Sequence, residues 1–413
     1  MHEGLAAYCP RYPESTILYS VVAGNLETFL ARQNERDRPV PGFVEDEFRS
    51  YLDCGILERG FLRLHCDTCR KDRLLPFSCK GGRAFCPSCG GRRMADTAAH
   101  LVDRVIPAVP VRQWVMSLPY ALRFRVAFDS RLLGEVLAIF VRAVFASLIR
   151  RARENGVPKG KCGSVTFLQR FGSALNCTPH FHMLAFDGVY AAADGESPQF
   201  YSLRPPDAMD VAAVAVRVAA RVASFLEKRD SVVEQEEPTM AGLFGASITG
   251  RLATGPNAGQ KVMTAGEFHD ENFEGHGSRC AMVSGFSVHA GVSIRAEDRK
   301  GLERLLRYAA RPPVALDRLA RLPDGRLSYR LKTSWRNGTT HVIFEPLELL
   351  ARLAVLVPAP RVNMLRFHGV LGPAAGWRAA VVPKLPDMEA NECKHEEDRN
   401  EKRDVVGITP GLT

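Results

Sequence analysis

The sequence predicts an α+β fold: a ferredoxin-like sheet preceded by a small helical and zinc-ribbon domain. Two observations predict it. Between residues 111 and 294, segments of strand and helix periodicity follow the order strand, helix, strand, strand, helix, strand, which is the β-α-β-β-α-β order of a ferredoxin-like sheet. Ahead of them, Cys66-Asp67-Thr68-Cys69 and Cys86-Pro87-Ser88-Cys89 form C-x2-C-x16-C-x2-C, inside the window of a tetrahedral structural zinc site.

Each element has its own signal. Residues 1–60 read as helical and arginine-bearing, with an acidic stretch at Glu45-Asp46-Glu47. The cysteine block follows and ends in Arg92-Arg93. Val111–Leu118 is a buried strand stopped by Pro119. Asp129 or Ser130 caps a helix whose apolar stripe is Leu133, Leu137, Phe140, Val141, Val144 and Leu148, and Gly156 ends it. Ser164–Gln169 and Phe181–Phe186 are two strands joined by a Gly/Asn/Pro-bearing loop. Met209–Glu227 is an Ala/Val-rich helix, and Ser231–Thr264 is expected to loop out. Phe286–Ile294 is a strand, and Ala296–Ala310 a helix stopped by Pro312-Pro313.

These elements suggest an N-terminal helical and zinc-binding domain over 1–95 and a catalytic domain over 96–345. A C-terminal extension follows over 346–385. Residues 386–413 are charged and poor in apolar residues, and are expected to be disordered.

Hydrophobic content of 46% and charged content of 24% fit a globular protein with a sizeable core. Lys and Arg outnumber Asp and Glu by 55 to 46, a formal +9 that favours polyanionic partners. Five of the 11 cysteines fall within Cys66–Cys89, a clustering that reads as metal ligands in a reducing compartment. No membrane span is expected, because Glu135 and Arg142 interrupt the most apolar helix.

Three further signals bear on chemistry. His180-Phe181-His182 puts both imidazoles on one strand face and Phe181 on the other. Two neutral imidazoles on one face can hold a divalent cation, although an H-x-H also arises by chance among 11 histidines. Gln169 ends the partner strand, either as a solvent-facing terminus or as a third ligand through its amide oxygen. Tyr308 sits on the flank of a helix stripe formed by Leu302, Leu305, Leu306 and Ala309. Taken alone it is a packing residue of the helix edge. Arg307 and Arg311 bracket it, and hold phosphates or are solvated.

Taken together, these segments resemble the HUH-type rolling-circle transposases of bacterial insertion sequences, the IS-ninety-one-like group. The resemblance runs from about residue 35 to 380. It is carried by HCDTCRKDRLLPFSCKGGRAFCPSCGGRRMAD, RQWVMSLPYALR, TFLQRFGSALNCTPHFHMLAFDGVY, GFSVHAG, LERLLRYAARPPVALDRL and FHGVLGP. It implies that the sheet is that of an HUH nuclease, and that His180, His182 and Gln169 hold Mg²⁺ or Mn²⁺ against a scissile phosphate. It also implies that Tyr308 is the nucleophile, leaving a 5′-phosphotyrosine without need of ATP. Arg304 and Pro312 lie one helical turn before and after Tyr308, which places the chain with the single-tyrosine branch.

The partner so implied is DNA, single-stranded at transposon ends and target, in the bacterial cytoplasm. With no helicase motor in the chain, unwinding falls to a host helicase or to supercoiling. Arg92 and Arg93 are candidate phosphate contacts beside the ribbon, as are Lys80 and Arg83. Cys66, Cys69, Cys86 and Cys89 are the expected zinc ligands. Cys79 then reads as a packed thiol, His65 as an occasional substitute ligand and His289 as a structural histidine. Asp187 and Tyr329 receive no role. Two other readings stand beside this one: a zinc-dependent DNA-binding protein without catalysis, and a replication initiator or relaxase with the same chemistry.

Overall fold

The structure, a computed structural model, describes residues 12–384 except 80–84, 194, 231–239, 266–278 and 336. The tail expected to be disordered, 386–413, lies outside the described residues.

Two helices, α1 (Ile17–Asn34) and α2 (Gly42–Asp53), open the chain. The Thr16 hydroxyl caps α1 by accepting from the Tyr19 amide. A two-stranded antiparallel hairpin, β1 (Phe61–His65) and β2 (Asp72–Pro76), follows, and α3 (Pro87–Arg104) begins on the second cysteine pair, with Pro87 in its first turn. Next come β3 (Val111–Ser117), α4 (Tyr120–Phe128) and the long helix α5 (Ser130–Glu154). Asp129 caps α5 by accepting from the Leu132 amide at 2.8 Å, and Gly156 takes a left-handed φ of 77° just beyond its end. The strands β4 (Gly163–Phe171) and β5 (Cys177–Phe186) form the expected hairpin, β4 longer at both ends and β5 at its start than the apolar runs.

A small ribbon, β6 (Gly188–Ala191) and β7 (Gln199–Ser202), precedes α6 (Ala208–Asp230). Within the segment expected to loop out lies α7 (Ala241–Thr249), so that expectation is corrected. Its Leu243, Phe244 and Ile248 are buried, and tertiary packing makes this short apolar run a helix despite three glycines nearby. Then follow β8 (Thr264–Ala265), β9 (Cys280–Val283), β10 (Phe286–Ile294) and α8 (Arg299–Ala310). The chain closes with β11 (Leu319–Arg321), β12 (Leu327–Arg330), β13 (His341–Phe344), α9 (Pro346–Leu356), β14 (Leu365–Gly369) and α10 (Arg378–Val381).

The architecture is mixed helix and sheet, as the α+β expectation required. The main sheet has six strands in the order β14-β4-β5-β3-β10-β9, with every pairing antiparallel. The predicted series strand, helix, strand, strand, helix, strand is present as β3, α5, β4, β5, α6 and β10. One face of the sheet, with Trp114, Met116, Phe181, Met183 and Val288, packs on α5 and α6. The other, with Val111, Val165, Phe167 and Leu184, packs on α3 and α8. The strand period thus sends Phe181 to one side and His180 and His182 to the other, as the sequence required.

A second sheet, β11-β12-β13-β8, joins α1, α2 and α9 in a separate core built on Leu18, Phe29, Phe48, Phe344 and Leu350. Residues 346–385 supply both a buried helix to this core and the edge strand β14 of the main sheet. Helix α5 is long and apolar enough to cross a membrane, but here it is the core helix beneath the main sheet.

Candidate functional site

The site lies where β5, β4 and the end of α8 meet. His180 pairs with Gln169 on β4 and with Ser117 on β3, and His182 pairs with Phe167 and Val115. Their rings are 5.0 Å apart between centroids. His180 Nδ1 is 2.7 Å from the Thr178 carbonyl, so Nδ1 carries the proton and Nε2 keeps its lone pair. His182 is 4% exposed. Its Nδ1 lies 3.0 Å from the Gln113 amide, and its Nε2 is buried without a hydrogen-bond partner. Burial pushes both imidazoles down, His180 to about 4 and His182 to about 3, with nearby Arg311 adding to the effect. Both rings are therefore neutral at pH 7, the form in which imidazole binds metal.

Gln169 joins the two parts of the site. Its Nε2 donates to the Ala309 carbonyl at 2.7 Å and to the Tyr308 carbonyl at 3.3 Å, latching the last turn of α8 to β4. Its Oε1 is buried and unpartnered. Two buried atoms without hydrogen-bond partners, His182 Nε2 and Gln169 Oε1, flank His180 on one sheet face; with the Gln113 amide turned so that its oxygen accepts from His182 Nδ1–H, Nε2 presents a free lone pair. Buried polar atoms are seldom left unsatisfied, and two imidazoles with an amide oxygen form a donor set that can hold a divalent cation.

Tyr308 stands beside this group. Its ring is 5.9 Å from that of His182, edge to face, and the residue is 36% exposed. Helix α8 is capped by Asp298, which accepts from the Gly301 amide, and it stops where Arg311 turns extended before Pro312. Two cations lie over the Tyr308 ring: Arg311, its Cζ 4.2 Å from the centroid, and Lys332, its Nζ 4.1 Å away. Arg311 also donates to the Tyr308 carbonyl. Lys332, Gln113 and the half-buried Arg123, which faces His180, went unnoticed in the sequence. No spacing rule connects them to His180, because strand pairing and a chain return bring them in.

The other candidates are placed as follows. Arg307 pairs with Glu303 one turn away at 2.9 Å. Arg92 and Arg93 are exposed on α3, and Arg93 shares a cleft with Gln169, Ala309, Arg311 and Pro312. His289 sits on the same sheet face as His182, one strand beyond Val115. Asp187 forms a buried ion pair with Arg112 at 2.6 Å, at the far end of β5. Tyr329 is buried, and its hydroxyl accepts from the Ala315 amide. Lys80 and Arg83 lie outside the described residues.

The cysteines require a correction. Cys86 and Cys89 do not join Cys66 and Cys69. The thiols of Cys54, Cys79, Cys86 and Cys89 lie within 4.8 Å of one another, and Cys54 Sγ is 3.4 Å from Cys89 Sγ. The reason is topological. The β1–β2 hairpin carries Cys66 and Cys69 out to its tip, while its base brings Cys54 and Cys79 back to the start of α3. Cys79 is a member of the group, not a packing thiol beside it. Hydrogen bonds from Cys79, Cys86 and Cys89 hold the Cys54 thiol far below its usual range. Four clustered sulfurs at a helix N-terminus suit a structural zinc ion. His65 bonds to Asp72 on the hairpin instead.

Comparison with known families now decides the identity. A family described as "Putative transposase" matches residues 163–376, over half of the chain, and includes His180, His182, Gln169 and Tyr308. The chain belongs to this transposase family. A second family, "Transposase zinc-binding domain", matches residues 25–118, and contains all four clustered cysteines. The order of the two, zinc-binding then transposase domain, agrees with the IS-ninety-one-like resemblance. No curated protein and no solved structure matches the transposase.

Proposed function

We propose that this transposase nicks single-stranded DNA at transposon ends through Tyr308 and transfers the strand, on a sheet of the HUH nuclease kind. The observation that carries the proposal is the placement of Tyr308 beside the His180–His182 pair, latched through Gln169. The Tyr308 oxygen attacks the phosphorus and the bond to the 3′ oxygen breaks. That oxygen takes up a proton and leaves as a 3′-OH, while the 5′ phosphate stays on the tyrosine. Arg311 and Lys332 place positive charge where a phosphate backbone must pass, and Arg93 extends it along the cleft. His180, His182 and Gln169 would hold the divalent cation, which withdraws charge from the phosphate and aligns it for in-line attack.

His180→Ala/His182→Ala should abolish Mg²⁺- or Mn²⁺-dependent nicking while leaving the fold intact. Cleavage that persists unchanged in the double variant sinks the cation assignment. Because burial keeps both rings neutral, Mn²⁺ affinity should stay level between about pH 8 and about pH 5. It should fall only as the pH approaches about 4, where protons begin to compete for the imidazoles.

Four thiolates, Cys54, Cys79, Cys86 and Cys89, hold a structural zinc in this reading. The zinc group also braces the tyrosine helix. A Cβ on Gly90, in the first turns of α3, would lie 2.7 Å from Pro312 Cβ, just past α8. Gly90→Val should therefore push α3 off the end of α8 and slow nicking by about tenfold to a hundredfold, by analogy with other small misplacements. Zinc content should be unchanged, and a variant with full nicking activity would show that this contact is idle.

A further inference from the structure

The correction at the cysteines leaves Cys66 and Cys69 without a function. They occupy the turn of the β1–β2 hairpin, Cys66 half-buried and Cys69 exposed. The turn is built as a metal knuckle. The Cys66 amide donates to the Lys71 carbonyl at 3.0 Å, and the Arg70 amide to the Cys66 carbonyl at 2.8 Å. Arg70 takes a left-handed φ of 55°, which reverses the chain just after the second cysteine. The backbone amides of Cys69 and Thr68 point at the Cys66 sulfur. Two thiolates are half of a tetrahedral zinc site. Among the described residues no third metal-ligating side chain joins them, since the only cluster of three or more is the four-thiol group.

The strands below the knuckle carry unusual exposure. Phe61, Leu62, Leu64, Leu74, Leu75 and Phe77 each leave between 43% and 53% of their surface open. An isolated two-stranded ribbon is marginal in water, and apolar residues on both its faces call for a covering surface. A second copy offers both missing things at once: two more thiolates and a like apolar ribbon. The charges agree as well. A zinc ion with four thiolates carries −2, and Arg70 and Lys71 of each copy stand exposed in the same turn.

We propose that Cys66 and Cys69 are half of a second zinc site, completed by Cys66 and Cys69 of a second copy, so that one ion joins two hairpins. This inference is independent of the role of Tyr308. It is tested on the full chain by zinc content per chain together with mass in solution. The expected wild type is a dimer with 1.5 zinc per chain, one in each four-thiol group and one shared. Cys66→Ser/Cys69→Ser should hold 1.0 zinc per chain, keep its far-ultraviolet circular dichroism, and dissociate at concentrations at least about tenfold higher than the wild type.

A wild type with 1.0 zinc per chain would overturn the proposal. So would a monomer with two, in which the site is completed within one chain. A double variant that dimerises as the wild type does, or a wild-type pair joined by a disulfide instead of zinc, would also overturn it. DNA binding lost in the double variant without change in mass or zinc would assign the hairpin to nucleic acid instead.

Discussion

Tyr308→Phe is expected to abolish nicking and covalent attachment to single-stranded end DNA, by on the order of 10⁴-fold or more. The change removes one oxygen and leaves the packing of the ring intact: its edge still meets His182, and Arg311 and Lys332 still lie over its face. DNA affinity should move by less than about threefold, because the proposed phosphate contacts come from the arginines and lysine around it. This split separates the proposed nuclease from a zinc-dependent DNA-binding protein. A labelled oligonucleotide, followed by denaturing electrophoresis for the adduct and by titration for binding, reads both quantities. Undiminished cleavage by the variant would remove Tyr308 as nucleophile.

The second large effect is on the zinc group. Cys79→Ser should lower zinc by about one per chain and unfold the segment from α2 through the start of α3. The reason is energetic as well as geometric. A structural zinc contributes on the order of 10 kcal/mol or more to a small domain. Here it ties together the end of α2, the base of the hairpin and the N-terminus of α3. Cys66→Ser/Cys69→Ser should leave this ion in place. Metal analysis and circular dichroism of both variants distinguish the observed thiol group from the one that spacing suggests. If Cys79→Ser kept all its zinc while the Cys66/Cys69 variant lost it entirely, the four-thiol assignment would be wrong.

That case shows what spacing can and cannot reveal. C-x2-C pairs announce a zinc domain, and that reading stands. Which four sulfurs converge depends on a hairpin eighteen residues long from Gly60 to Phe77, whose base and tip point in different directions. Its strands, Phe61–His65 and Asp72–Pro76, lack the apolar–polar alternation that marks a half-buried strand, because neither face is covered. Cys54, isolated in sequence, carried no signal at all.

The main sheet was far more legible. Its strands are buried apolar runs punctuated by Pro119, Gly172 and Gly285, and α5 has a capped, periodic stripe. The period of two alone put His180 and His182 on one face. Gln169 was placed at a strand end that could have met solvent. The structure instead buries it, at 4% exposure, with α8 folded over it. Edge strand β14 and helix α7 escaped notice because each is stabilised by distant partners, β4 for the one and α4 and α9 for the other. Lys332 was missed for the same reason: it reaches Tyr308 only after the chain has returned through β11 and β12.

The most direct test of the account is the identity of the residue that carries DNA after cleavage. The transposase is incubated with single-stranded end DNA and Mn²⁺, digested with protease and nuclease, and the modified peptide is mapped by mass spectrometry. The account predicts a nucleotide-bearing phosphotyrosine at Tyr308, absent when the cation is chelated. A modified residue elsewhere, such as Tyr120 or Tyr329, or cleavage with no protein-linked product, would contradict it.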